Sequence, residues 1–262
     1  MKRRDFIRSI SLSALGAFLP WKVFAADSSK ARVTLRRSDE RGFADHGWLK
    51  TKHSFSFANY RDPKHMGFKN LRVINQDIVV PLEGFPTHPH TDMEIVTYVL
   101  SGEVKHKDTL GNSTIIKRGE IQKMTAGTGI QHSEYNSSSL QDVHFMQIWI
   151  EPSLEGIQPI YEQKAIDGFG KEGLICVASE AGRKGGLYLN AKADIFRGKF
   201  SEKTSATYRS SREGSVWIQV ISGSVTVGKV LAQSGDGLRI EKGSKLHLQA
   251  GAGTEFLLFD LT

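Results

Sequence analysis

The sequence has little cysteine, little proline and no long hydrophobic run, and each shortage excludes a class of protein. Cys176 is the only cysteine among 262 residues, so no intramolecular disulfide can form and the fold must depend on a hydrophobic core. With 26 glycines and 7 prolines, the chain is too poor in both for a collagen-like repeat. Its 39% hydrophobic and 24% charged residues are typical of a globular protein and exclude intrinsic disorder.

The chain has a formal net charge of +7, which would normally suggest a nucleic-acid partner. Residues 1–25 contain five of the basic residues and a single aspartate, so they carry +4 of this charge. The remaining residues carry only +3 and are close to neutral. We therefore expect no nucleic-acid partner.

Residues 1–25 have the layout of a signal peptide, with a basic start, an apolar stretch and small residues at the cleavage position. Residues 2–8 (KRRDFIR) resemble the twin-arginine export motif, because Arg3 and Arg4 precede an apolar residue. The apolar stretch is shorter than the roughly 20 residues that a membrane-spanning helix needs. The sequence thus predicts an exported, periplasmic protein without a permanent membrane span. A general secretory signal and an uncleaved anchor are the alternatives.

Short alternating segments separated by glycine-containing turns follow from residue 32 onward. Examples are residues 72–75 (RVIN), 95–100 (IVTYVL) and 145–150 (FMQIWI). Strands at intervals of about 8 to 12 residues with such turns are typical of an antiparallel sandwich or barrel. The sequence therefore predicts an all-β protein.

A weak internal repeat indicates two copies of one β unit. Residues 99–104 (VLSGEV) are similar to residues 220–225 (VISGSV), and residues 126–129 (AGTG) to residues 250–253 (AGAG). The two offsets nearly agree, so we interpret the repeat as a duplication. The predicted boundary lies at residues 151–152, where prolines and a glycine interrupt the strand pattern.

Two pairs of metal-binding side chains carry the candidate chemistry. His88 and His90 form one pair at spacing i, i+2, and His132 and Glu134 form the other. On a strand this spacing places both side chains on one face. If the two strands are neighbours, three imidazoles and one carboxylate meet and leave ligand positions open, as in a catalytic site. Fe(II), Mn, Ni, Cu and Zn all suit such ligands, and spacing alone does not choose among them.

The residues around these pairs resemble the pirin family of the cupin superfamily, and the likeness is greatest to bacterial quercetinase-type pirins. The resemblance covers nearly all of the chain after residue 25. It rests on residues 84–90 (GFPTHPH) with Glu94 and Gly102, on Gly119, Gly127, His132 and Asn136, and outside these motifs on residues 59–63 (NYRDP), 71–75 (LRVIN), 147–150 (QIWI) and 259–261 (FDL).

The resemblance implies a bicupin, in which two antiparallel β-barrel (jelly-roll) domains pack together. Residues 26–150 would form the metal-binding domain and residues 151–262 a cupin-like domain without metal ligands. The implied ligands of a single metal ion, usually iron, are His88, His90, His132 and Glu134. Most cupins use the carboxylate at the position of Glu94 instead. We expect Glu94 to orient a histidine.

The repeat offsets indicate what the second domain lacks. They align the ligands and Glu94 with Arg209, Ser211, Ser215, Phe256 and Leu258, which cannot bind a metal as a set. The histidines outside the two pairs are expected to be surface or core residues: His46, His53, His65, His106, His144 and His247. Trp48, Phe55 and Phe57 are candidate walls of a pocket with His53 at its entrance, although such aromatic residues are more often core.

The resemblance implies a metal-dependent dioxygenase that cleaves flavonols such as quercetin with O2 and releases carbon monoxide. Its partners would be a small phenolic substrate and O2. Glu134 would accept the proton of the substrate's hydroxyl group as a general base. The alternatives are a non-catalytic metal- or redox-responsive binding protein and an oxygenase of another small phenolic. The sequence makes no prediction of the oligomeric state.

Overall fold

The computed structural model describes residues 31–166, 168–180, 182, 185–212 and 214–262. The predicted signal peptide lies outside these residues. The regular structure in the described part consists of β-strands and one 3-10 helix at Ser38–Glu40, which confirms the all-β prediction. No helix of this part is long and apolar enough to cross a bilayer.

The strands form two domains. The N-terminal domain contains β2 (Gly42–Asp45), β3 (Leu49–His53), β4 (Leu71–Val79), β5 (Gly84–His90), β6 (Glu94–Ser101), β7 (Glu103–Asp108), β8 (Ser113–Lys117), β9 (Glu120–Thr125), β10 (Ile130–Asn136), β11 (Val143–Ile150) and β12 (Ile160–Ala165). The C-terminal domain contains β1 (Arg32–Arg36), β13 (Gly173–Ser179), β14 (Leu187–Tyr188), β15 (Ala193–Phe200), β16 (Thr204–Arg209), β17 (Ser215–Ser222), β18 (Ser224–Val227), β19 (Val230–Gln233), β20 (Gly237–Glu241), β21 (Lys245–Ala250) and β22 (Thr254–Leu261).

Each domain pairs a four-stranded sheet with a seven-stranded sheet. In the N-terminal domain the strand orders are β5-β10-β7-β8 and β12-β9-β6-β11-β4-β3-β2. In the C-terminal domain they are β16-β21-β18-β19 and β1-β20-β17-β22-β15-β13-β14. The predicted bicupin is therefore confirmed, although each domain is a jelly-roll-like sandwich of two sheets and not a closed barrel.

The two domains exchange edge strands, so the sheets do not divide at residue 151 as the sequence predicts. β1 comes first in the chain but pairs with β20 of the C-terminal domain. β12 follows the predicted boundary but pairs with β9 of the N-terminal domain. Each strand covers an edge that would otherwise expose unpaired backbone groups.

The two seven-stranded sheets face each other across an apolar interface between the domains. Tyr98 and Met146 of the N-terminal domain share one buried cluster with Trp217 and Phe259 of the C-terminal domain. The sandwich interior of the C-terminal domain holds a second large cluster. The interior of the N-terminal domain has only two small clusters, because polar residues lie between them.

The first half of the predicted repeat is confirmed and the second half is wrong. Residues 99–104 and 220–225 both form the turn between equivalent strands, β6–β7 and β17–β18, around Gly102 and Gly223 at positive φ. Residues 126–129, however, connect β9 to β10, whereas residues 250–253 connect β21 to β22. The strand pairing instead aligns β10 with β21.

Leucines of the second domain occupy the positions of the predicted ligands on β10. The pairing of β10 with β7 and of β21 with β18 aligns His132 with Leu246 and Glu134 with Leu248. Both leucines are buried in the apolar cluster of the C-terminal domain. His247 is exposed between them.

Candidate metal centre

Two adjacent strands bring the three predicted histidine ligands together, whereas Glu134 groups with His132 and His106 and not with His88 and His90. β5 and β10 are antiparallel, and their register places His132 directly opposite His88 and Ile130 opposite His90. The register shifts between His132 and Glu134, which marks a β-bulge. Alternation along β10 buries His132 and Glu134 and leaves Gln131 exposed. Both predicted pairs therefore face the interior of the N-terminal sandwich.

Three imidazoles form the core of the site. The ring centroids of His88 and His132 lie 4.5 Å apart, and that of His90 lies 4.8 Å and 4.9 Å from them. Each ring has a nitrogen within 4.8 Å of the others. His88 Nδ1 lies 2.7 Å from the carbonyl oxygen of Pro86, so His88 can present its Nε2 to an ion.

The nitrogens of His132 are the strongest sign that this cluster binds a metal. Both are buried, and neither has a hydrogen-bond partner. Leaving two buried ring nitrogens without a partner is costly unless a ligand satisfies them. Burial, with the nearby His88 as a second cause, lowers the pKa of His132 to about 2 and that of His90 to about 4. Both rings are therefore neutral near pH 7, as metal binding requires.

Glu134 approaches the histidines from the side of His132. Its carboxylate lies within 4.8 Å of ligand atoms of His132 and His106. Gln147 Nε2 donates to Glu134 Oε2 at 2.6 Å, and the Thr97 hydroxyl donates to Oε1 at 3.2 Å. Burial raises the pKa of Glu134 to about 7, although these two hydrogen bonds favour the ionised form. The donor set of three imidazoles and one carboxylate fits a divalent transition metal.

His106 belongs to this site, although the sequence analysis gave it only a structural role. It is fully buried on β7, directly opposite Glu134, and its ring lies 5.3 Å from that of His132. Its Nε2 is 3.0 Å from Asp108 Oδ2, whereas its Nδ1 has no partner. His106 and Asp108 show the same i, i+2 spacing as the two predicted pairs, and this signal could have identified them.

Glu94 does not orient a histidine, so that expectation is wrong. Thr97, which bonds to Glu134, faces the sandwich interior, whereas Glu94 lies three positions away on the other face of β6. Glu94 Oε2 accepts a hydrogen bond from the backbone N–H of Asn190 in the C-terminal domain. Its carboxylate is therefore buried between the domains.

A cavity of about 320 Å³ opens beside the histidines. Its walls are largely aromatic, and its lining includes Trp48, Phe57, Phe85, Trp149, His53, Asn75, Asp77 and Gln147. Trp48 and Phe57 thus line the cavity as considered in the sequence analysis, and His53 is a buried part of its lining. Phe55 instead packs on Trp217 in the interdomain cluster.

A row of polar side chains crosses the seven-stranded sheet of this domain. Strand register aligns the row across β9, β6, β11, β4 and β3, where its members are Gln122, Thr97, Gln147, Asn75 and His53. In the middle of the row Thr97 donates a hydrogen bond to Gln147, and at its end Asn75 and His53 are hydrogen-bonded to each other. The row explains why the interior of this sandwich is polar, whereas that of its C-terminal partner is apolar.

Comparison with known proteins gives two family matches. The family described as Pirin matches residues 34–150, and the family described as Quercetinase C-terminal cupin domain matches residues 176–261. The two matches lie on either side of β12.

The chain matches two curated relatives over nearly their whole length. Quercetin 2,3-dioxygenase of Escherichia coli K12 is 46% identical over 229 residues, which are 87% of this chain and 98% of the relative. A pirin-like protein of Caulobacter vibrioides is 37% identical over 85% of this chain and 96% of its own.

Two solved structures have a similar fold. The nickel(II) complex of the bacterial pirin YhhW from E. coli matches with a TM-score of 0.84 and 46% identity over 88% of this chain and 99% of that one. A quercetin 2,3-dioxygenase from Acinetobacter baumannii matches with a TM-score of 0.67 over 86% of this chain and 84% of its own. At 23% identity, this second structure supports the fold alone.

Proposed function

The chain belongs to the pirin family, and we propose that it is a metal-dependent quercetin 2,3-dioxygenase that cleaves a flavonol with O2 and releases carbon monoxide. The observation that carries this proposal is the cluster of His88, His90 and His132 beside an aromatic cavity, with both His132 nitrogens unpartnered. The identity of 46% to the E. coli quercetin 2,3-dioxygenase supports the same activity.

His88, His90, His132 and Glu134 would hold the ion. The donor set is compatible with several metals, and the E. coli pirin was solved with nickel(II). We expect Fe(II) in this protein. When bound, the ion supplies Lewis acidity that lowers the pKa of a flavonol hydroxyl group.

The side chains of the chain itself bind the flavonol and receive its proton. Trp48, Phe57 and Trp149 line the cavity and would pack against flat aromatic rings while excluding water. Glu134 lines the same cavity, so an oxygen of its carboxylate can accept the proton of the substrate's hydroxyl group. Gln147 and Thr97 hold this carboxylate in place.

Metal content and turnover together test the proposal. The purified protein is assayed for metals, and aerobic quercetin consumption is followed with detection of carbon monoxide. His132→Ala should lose the metal and turnover together, because it removes the central ligand. His247→Ala removes an exposed histidine of the other domain and should change neither. A wild-type protein that binds metal but never consumes quercetin would contradict the enzyme and favour a non-catalytic binding protein.

The proposal includes export to the periplasm through the twin-arginine motif at Arg3 and Arg4. This route carries folded proteins, so the metal could be inserted in the cytoplasm before export. Replacing both arginines by lysine keeps the charge and should leave precursor in the cytoplasm, as cell fractionation would show. Unchanged export of this variant would indicate the general secretory route instead.

A further inference from the structure

Asp77 is the one cavity-lining carboxylate outside the proposed metal ligands. It lies on β4, between Thr51 of β3 and Phe145 of β11, and faces the sandwich interior. Only 3% of its surface is exposed. A hydrogen bond links its carboxyl to the side chain of Thr51.

One oxygen of this carboxyl lacks a partner. Asp77 Oδ1 is buried and makes no hydrogen bond, whereas in the same cavity Asn75 is paired with His53 and Gln147 with Glu134. A buried carboxylate oxygen without a donor costs free energy of folding. Such a group is expected where a ligand supplies the missing donor.

The chemistry of the cavity restricts what this donor can be. The walls are aromatic and suit a flat apolar body, and the imidazoles occupy the metal end. Burial raises the pKa of Asp77 to about 7, and Arg41 opposes this shift electrostatically, so a cationic ligand is not needed for charge balance. A neutral hydroxyl group on an aromatic ring suits both the aromatic walls and the carboxyl group of Asp77.

We propose that the carboxyl group of Asp77, which lines the cavity, accepts a hydrogen bond from a phenolic hydroxyl group of the substrate and thereby selects flavonols that carry this hydroxyl. This inference rests on the proposed function, because it assigns the specificity of the same cavity. Asp77 is a specificity residue that touches the substrate away from the atoms that react. A flavonol without that hydroxyl would leave the carboxylate unpaired and bind more weakly.

Comparisons of flavonols that lack hydroxyl groups at different positions test the inference. The probes are quercetin, galangin, which lacks the hydroxyls of its lateral ring, fisetin, which lacks the 5-hydroxyl, and the quercetin analogue without the 7-hydroxyl. One of the three analogues should show a kcat/KM roughly 10- to 100-fold below that of quercetin in the wild type, as expected when a buried acceptor is left without its donor. Asp77→Leu should abolish this difference, mainly through KM. Asp77→Asn keeps an oxygen acceptor and should retain part of it.

Binding without O2 gives a second readout. Trp48 and Trp149 line the cavity, so flavonol binding to the protein can be followed anaerobically by quenching of tryptophan fluorescence. The discrimination between quercetin and the sensitive analogue should appear in Kd and vanish in Asp77→Leu. Asp142→Leu is the matched control: it makes the same change at an exposed position just before β11, so the discrimination should persist.

The outcomes distinguish a failure of the role of Asp77 from a failure of the proposed function. If the wild type turns over quercetin and Asp77→Leu shows unchanged hydroxyl discrimination, the role of Asp77 is overturned and the enzyme stands. If the wild type neither binds nor consumes any of the four flavonols, the proposed function fails together with the inference. Thermal melting shows whether Asp77→Leu is folded, and Asp77→Ser replaces it if it is not.

Discussion

Gln147 joins the two sheets of the N-terminal domain at the proposed metal centre. Its amide nitrogen donates to Glu134 on the four-stranded sheet, and its carbonyl oxygen accepts from Thr97 on the seven-stranded sheet. The amide therefore fixes both its own orientation and that of the carboxylate. An acidic side chain in its place would repel Glu134.

Replacing Gln147 by leucine should lower kcat for quercetin by roughly 10- to 100-fold, because the loss of a hydrogen bond to a charged group costs about 1.5–3 kcal/mol. The three histidines remain, so metal analysis should still find the ion. Gln249→Leu is a suitable control, since Gln249 is exposed on β21 of the C-terminal domain. Full activity of Gln147→Leu would show that Glu134 needs no such support.

The sequence predicts which candidate ligands share one face of a strand, because this depends only on local alternation. His88 and His90 share a face because they are two positions apart on one strand, and the same holds for His132 and Glu134. Glu94 lies on a different sheet from the histidines. The number of residues between them therefore does not predict which way the side chain of Glu94 points. The sequence could not predict the unpaired oxygen of Asp77 either, because it depends on contacts among three strands.

At the scale of elements, β5 and β10 approach so closely at Gly84 that no side chain fits there. A Cβ at residue 84 would lie 2.2 Å from the backbone oxygen of Glu134 and 2.5 Å from Tyr135 Cα. Both obstacles are backbone atoms and cannot turn away. Gly84 therefore sets the distance between the strands that carry the proposed ligands.

Gly84→Ala should push β5 away from β10, with loss of metal and a decrease of about 2–4 kcal/mol in the free energy of unfolding, a range typical of severe backbone clashes. Denaturant unfolding and metal analysis measure the two effects. At Gly170 a Cβ meets nothing within 4 Å and φ is not positive, so Gly170→Ala should change stability by less than about 0.5 kcal/mol. Equal metal content in the two variants would disprove the role assigned to Gly84.

Alternation and turn residues predicted the strands at residues 72–75, 95–100 and 145–150, which lie in β4, β6 and β11, because both signals are local. The error in the repeat has a physical reason: residues 126–129 and 250–253 are similar glycine turns, but glycine turns join many different strand pairs. Only strand pairing shows that β21, and not β22, is the equivalent of β10. The exchange of β1 and β12 between the domains could not be predicted from the sequence for the same reason. Strands that pair across a long sequence separation leave no periodic pattern.

At the scale of the whole molecule, the exchanged strands and the shared core connect the two domains. Leu35 of β1 packs against the apolar cluster of the C-terminal domain. Across the interface the Tyr98 hydroxyl donates to Glu255, and Arg197 forms an ion pair with the same carboxylate. Neither domain can unfold alone without exposing a sheet edge and an apolar face.

The protein should therefore unfold in a single cooperative transition. In calorimetry, the calorimetric and van't Hoff enthalpies should agree for the full chain, as they do for a two-state unit. Chelating the metal should lower the Tm of this one transition, because an ion that binds only the native state stabilises the whole cooperative unit. His132→Ala should already melt at the lower temperature and show no further change with chelator. Two separate transitions, with only the first sensitive to chelator, would mean that the strand exchange does not couple the domains.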